Sequence, residues 1–214
     1  MTFARMVSGG ITALAVLISG CGILGGAVPS GGGGGGNADM LLLNAAFAVG
    51  RADKAVMALG GAAMSKKEVD EHNAKIEAIN KIADPQEKEA KLQAEKEAYQ
   101  ATVVKRLETD AAKIEAAAAD ATKKAQLARA LQNLIFLTFY DNNLIGQITA
   151  MVSRPNPAIV GQLRQLKYSA ELIGKQVKLI GAALPHIKTL ATKVGVTTFP
   201  ASAAEDPGEV DLGS

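Results

Sequence analysis

The apolar positions fall into helical rhythm, and the rhythm is clearest near the end of the chain. Ile159, Leu163, Leu166, Ala170, Ile173, Val177, Ile180, Leu184, Ile187, Ala191 and Val194 are separated by alternating steps of four and three residues. Spacing of that kind, held over five heptads, predicts a coiled-coil seam on one long helix. Asn156 stands where an N-cap belongs, with Pro157 at the first helical position, where a missing N–H costs nothing. Pro185 falls inside the seam and should kink the helix near Gly181–Leu184. From Gly195 the period is lost, and residues 195–214 are expected to form a disordered tail.

Upstream, Asp39 can cap a helix beginning at Met40. Its opening is apolar nearly all round to Val49 and then turns amphipathic, and Gly60-Gly61 should end it. Ten apolar residues suit a buried core helix and are too few for a membrane span, which needs about 20. Ser65-Lys66-Lys67-Glu68 is a capping box, in which serine and glutamate satisfy each other's orphan amides. Val69, His72, Ile76, Ile79 and Ala83 then mark a narrow stripe. Asp84-Pro85-Gln86-Glu87 is a second helix start.

Residues 86–124 are rich in Ala, Glu, Lys and Gln, all strong helix formers. Leu92, Tyr99, Val103, Leu107 and Ile114 give a sparse stripe, and the composition turns strongly apolar at Leu134–Tyr140. One helix from Pro85 to Tyr140 would be about 80 Å long, which coiled-coil pairing would support. Asp141-Asn142-Asn143 should break it, with helix resuming at Leu144 and ending before Arg154. The pattern therefore predicts an all-α fold, an elongated helical bundle or antiparallel coiled coil. Four or five helices are expected, with the Pro85 helix against the Asn156 helix.

Composition supports that class, because aromatic residues are only 4%, tryptophan is absent and strand formers never cluster. The net charge of +2 conceals segregation. Residues 66–124 carry 12 basic and 13 acidic side chains, residues 125–199 carry 8 and 2, and the stretch from Pro200 carries 4 acidic and no basic ones.

The N-terminus has a separate grammar. Arg5 is followed by an apolar run, densest at Ile11–Ile18, of the length of a secretory h-region. The run ends at Ile18-Ser19-Gly20-Cys21, and Cys21 is the only cysteine. These residues resemble the lipobox of bacterial lipoproteins: an aliphatic residue, two small residues and cysteine, although that family more often carries leucine where Ile18 stands. The resemblance covers about residues 1–21. It implies that residues 1–20 are a cleaved signal peptide and that Cys21 is lipidated and becomes the first residue of the mature chain. Multiple acyl chains would anchor it stably. Gly22 in place of Asp implies, by resemblance to Gram-negative lipoproteins, the periplasmic face of the outer membrane. A plain secretion signal with a chance cysteine, or an N-terminal membrane anchor, is the alternative. Residues 21–38 hold the lipidation site and a Gly-rich linker, whose 17 residues from Gly22 would reach about 23 Å as a flexible tether. Residues 39–194 form the expected helical domain.

Catalytic signatures are missing: no HExxH, CxxC, GxSxG or phosphate loop occurs, and two histidines cannot make a multi-His metal site. His72 would be a buried pH-sensitive group or a polar residue at a helix edge, and His186 a surface residue. Phe136, Phe139 and Tyr140 could wall a pocket whose polar lining is Asp141–Asn143, or the polar triplet is simply a turn. Arg164, Lys167, Lys175 and Lys178, with Glu171 among them, follow helical spacing beside the seam. They could dock an acidic partner, anionic lipid or glycan, or the chain's own acidic tail, or be ordinary coiled-coil flanks. The expectation is a non-enzymatic, lipid-anchored scaffold or interaction subunit of a bacterial envelope assembly. It would use no cofactor or metal, bind no nucleic acid, and meet an envelope protein or a second copy of itself. A lipid- or small-molecule-binding lipoprotein with a pocket near Phe136–Asn143 is the alternative.

Overall fold

The computed structural model describes residues 38–154 and 157–212, so Cys21, the lipobox, the glycine run and the Asn156 cap lie outside the described residues. Within them the protein is all-α: six helices packed antiparallel, with no strands. These are α1 (Ala38–Ala63), α2 (Lys66–Asn80), α3 (Pro85–Thr109), α4 (Ala111–Ala117), α5 (Ala121–Ser153) and α6 (Leu163–Lys193). A 3₁₀ turn, Pro157–Gln162, leads into α6, so the regular helix starts later than the Pro157 signal implies.

Local start signals set many of the boundaries. The Ser65 capping box forms as expected: Glu68 N–H donates to Ser65 Oγ at 3.3 Å, and Ser65 N–H donates to Glu68 Oε2 at 2.8 Å. Asp84 accepts from Glu87 N–H at 2.7 Å and starts α3 at Pro85. Gly60-Gly61 do not end α1, which continues to Ala63. Gly60 is instead a packing residue, because a Cβ there would lie 2.2 Å from Tyr99 Oη.

The single helix expected over Pro85–Tyr140 is three helices. It breaks at Asp110, which caps α3 and pairs with Arg106 at 2.7 Å, and again before Asp120, which accepts from Lys123 N–H at 2.8 Å and starts α5. Between the breaks the alanines offer little to bury, and Ile114 alone is fully inside. The chain therefore reverses there rather than extending.

The break expected at Asp141–Asn143 is absent, and α5 runs through it. Asp141 falls on the buried side with Leu137, Leu144 and Ile148. Asn142 Nδ2 donates to Thr138 O at 2.6 Å, and Asn143 Oδ1 accepts from Gln147 Nε2 at 2.9 Å, so each amide supports the helix it was expected to end.

The seam of α6 exists, in a shifted register. The buried positions are Leu166, Ser169, Ile173, Gln176, Ile180, Ala183, Ile187, Leu190, Ala191 and Val194. One row of the expected seam, Leu166 to Val194 in sevens, is central. The other, Leu163, Ala170, Val177, Leu184 and Ala191, is half-buried until its last member, Ala191, which is fully inside. Helices α5, α3 and α1 all pack against α6, and the face carrying Ser169 and Gln176 turns inward. The helix is continuous through Pro185, which lies exposed.

The apolar interior divides in two. One cluster joins the start of α1, the second half of α5 and the start of α6. The other joins the end of α1, α3, Ile114, the first half of α5 and the end of α6. Arg51 and Gln176 fall near the boundary.

Residues 195–212 contain no helix, but they are not a loose tail. Gly195 sits at φ +92°, with its N–H on Thr192 O and the Val196 N–H on Ala191 O, which is a Schellman cap on α6. Val196 and Val210 are buried in the apolar cluster that contains Leu131 and Leu134. The acidic segment is held because basic and apolar groups of α1 and α5 await it.

Candidate functional site

Three features of the surface can do chemistry or recognition. The first is a polar cleft of about 150 Å³ between α1, α3 and α6. Its walls carry the Asp53–Lys96 ion pair at 2.6 Å and Lys175, whose ammonium lies 3.5 Å from Glu97. Gln93, Gln100 and Gln176 supply amides, and Gln100 Nε2 is buried with no partner among the described residues. Behind this wall Gln176 Nε2 donates to Asp141 Oδ2 at 2.7 Å. Asp141 is 0% exposed and its Oδ1 has no partner. Burial pushes this carboxyl up to about 7, against the opposing hydrogen bond from Gln176. Asp141 does not line the cleft itself, and Gln176 stands between them.

The second feature is the seat of the C-terminal segment. Arg51 is 4% exposed, lies over the rings of Phe47 and Phe136, and donates through Nη1 to Asp206 Oδ1 at 2.7 Å. Desolvation lowers the Arg51 pKa and the Asp206 charge opposes it. Lys54 pairs with Glu209 at 2.5 Å. Asn133 Nδ2 donates to Gly208 O at 2.9 Å and to Arg129 O at 2.8 Å. Tyr140 packs on Phe47 and Phe136, and burial, helped by the Asp141 charge, pushes its phenol up to about 12.

The third is the basic strip of α6. Arg164, Lys167 and Lys178 are exposed and form no ion pair among the described residues. Lys175 differs, because Glu97 and Glu171 hold it, the latter at 3.7 Å. Of the acidic segment, Asp206 and Glu209 pair with Arg51 and Lys54 of α1 and not with the strip.

The stretch Phe136–Asn143 is filled helix: Phe136 and Tyr140 are interior, Asn142 and Asn143 exposed. His72 is half-buried between α2 and α3, stacked on Tyr99 at 3.8 Å, with Nδ1 3.0 Å from Glu95. His186 is exposed. Arg51, Gln100 and Gln176 have no signature of their own in the sequence. Asp206-Pro207-Gly208, a turn tripeptide, is the signal that could have found the tail's seat.

Among the described residues no group of His, Cys, Asp and Glu could hold a metal, and no helix is long and apolar enough to cross a membrane. Comparisons with known proteins add no relative: no family model, curated protein or solved structure matches the chain.

Proposed function

We propose that the protein is a lipid-anchored, extracytoplasmic helical scaffold or interaction subunit of a bacterial envelope assembly. The observation that carries this is the sequence Ile18-Ser19-Gly20-Cys21 and its Gly-rich continuation, set before a bundle that presents a basic strip. Cys21 would hold the chain to the outer membrane. The linker would let the bundle turn freely. Arg164, Lys167 and Lys178 stand exposed and form no ion pair among the described residues, and Coulomb attraction at such a strip favours an acidic protein surface.

Two experiments test the parts separately. Cys21→Ser should abolish incorporation of labelled palmitate and move the protein to the soluble fraction, and retention of the variant in the membrane would overturn the anchor. A photo-crosslinker at Lys167, used in the native envelope, should give a discrete protein adduct. Adducts to lipid or glycan alone would remove the interaction-subunit reading.

A second reading rests on the cleft. The unpartnered Gln100 amide and the flanking Asp53–Lys96 and Glu97–Lys175 pairs suit a small polar solute. Gln100→Leu should then abolish solute-induced thermal stabilisation while leaving the crosslink at Lys167 unchanged.

A further inference from the structure

The seat of the C-terminal segment is more detailed than packing requires. Asp206 Oδ1 accepts from Arg51 Nη1 at 2.7 Å and from the Gly208 N–H at 2.7 Å, so one carboxylate closes a turn and docks it. Gly208 stands at φ +83°, a conformation that favours glycine, with the Arg129 guanidinium beside it. Its carbonyl accepts from Asn133. Glu209 pairs with Lys54, and the Val210 side chain is buried. Thus Asp206, Gly208 and Glu209 are each met by a different group of α1 or α5, and Val210 enters the apolar cluster. The segment has no regular structure and is held by a few long-range contacts and one buried valine, so it can open locally while the helices stay packed. What it covers is cationic: Arg51, Lys54 and Arg129 face it.

We propose that the α1–α5 groove is a recognition site for an acidic turn of the pattern Asp-x-Gly-acidic-aliphatic on a partner protein. The chain's own Asp206–Val210 is its resident occupant. The segment is then an autoinhibitory strap, and a partner must displace it to dock. Charge complementarity and the occupant itself define the ligand chemistry. The surface is separate from the α6 strip, and the inference does not rest on the lipid anchor. A tethered occupant competes at high effective concentration, so the closed state dominates until a partner is locally abundant.

The test uses the full chain and a fluorescent synthetic peptide of residues 201–212, read by anisotropy. Asp206→Lys/Glu209→Lys should drive the strap off Arg51 and Lys54 and admit the peptide. Wild type should bind it about tenfold more weakly or worse, because its own strap competes. Binding should weaken with salt, and should fall by about tenfold or more when the peptide carries Asp206→Asn or the protein also carries Lys54→Glu, since each removes a charge-assisted bond. If the double reversal unfolds the chain, Asp206→Asn/Glu209→Gln, which removes both ion pairs without placing like charges together, serves the same purpose. Failure of a folded, strap-displaced variant to bind would overturn the proposal, as would equal binding by wild type. A wild-type dimer that the reversal dissolves would also overturn it, by placing the segment on a second copy.

Discussion

Helices α1 and α2 are consecutive, yet they stand for different reasons. Half of α1 is buried, thirteen of its 26 residues, and it packs against α3, α5 and α6. None of the 15 residues of α2 is buried, and α2 leans mainly on α3. The first is held by what it packs against. The second is held by local chemistry, the Ser65–Glu68 box and exposed pairs such as Lys66–Asp70, and by side-chain contacts to α3 such as the stack of His72 on Tyr99. A helix without a buried face draws little from the hydrophobic term, so α2 should open well before the body does.

The largest expected effect tests the buried side of this contrast. Phe136 is 0% exposed and packs against Tyr140 beneath Arg51. Phe136→Ala should cost about 3–5 kcal/mol and lower the melting temperature of the whole body. Ile79→Ala, at a half-buried position of α2, should change the global melt far less, by about 1 kcal/mol at most.

Next is Asp141, which weakens the body it sits in. The folded chain keeps the Asp141 proton up to about pH 7, whereas an unfolded aspartate releases it around its ordinary value of 3.8. Between those limits the folded state binds more protons, so this residue's contribution makes stability fall as pH rises. Asp141→Asn should remove that slope and raise stability at pH 8 by about 2–3 kcal/mol, read as melting temperature against pH. An unchanged slope would mean the carboxyl is not buried as described.

Gly60→Ala tests the junction between the two regions. The new methyl would press on Tyr99, which also stacks on His72. A loss of about 1–3 kcal/mol is expected, with faster amide exchange in α2 and α3. Ser65→Ala should be smallest, about 1 kcal/mol, and confined to exchange at the start of α2. If Ser65→Ala shifted the global melt as much as Gly60→Ala, α2 would not be the separable part.

The local signals were legible where one or two residues are enough to decide an outcome. The Ser65 box and the Asp84-Pro85 start can be read directly, since a cap needs only its own turn. The Asp110 and Asp120 breaks carried capping residues too, but they were hidden by strong helix formers on both sides. Asp141 misled because a polar triplet resembles a turn, whereas in three dimensions it continues the stripe of Leu137 and Leu144. Arg51 and Gln176 could not be picked out, because each matters through a partner 155 or 35 residues away.

By itself the sequence determined the helical class, the starts of α2 and α3 and one row of the α6 heptad, and it carries the resemblance at Cys21, because each is written in residues close together along the chain. Only the tertiary structure decided which face of α6 turns inward, that Gly60 serves close packing, and that an acidic segment without periodicity is pinned to α1. Those outcomes depend on which distant groups share a site. The free energy of a buried charge or a close contact is set by that company and not by neighbours in sequence.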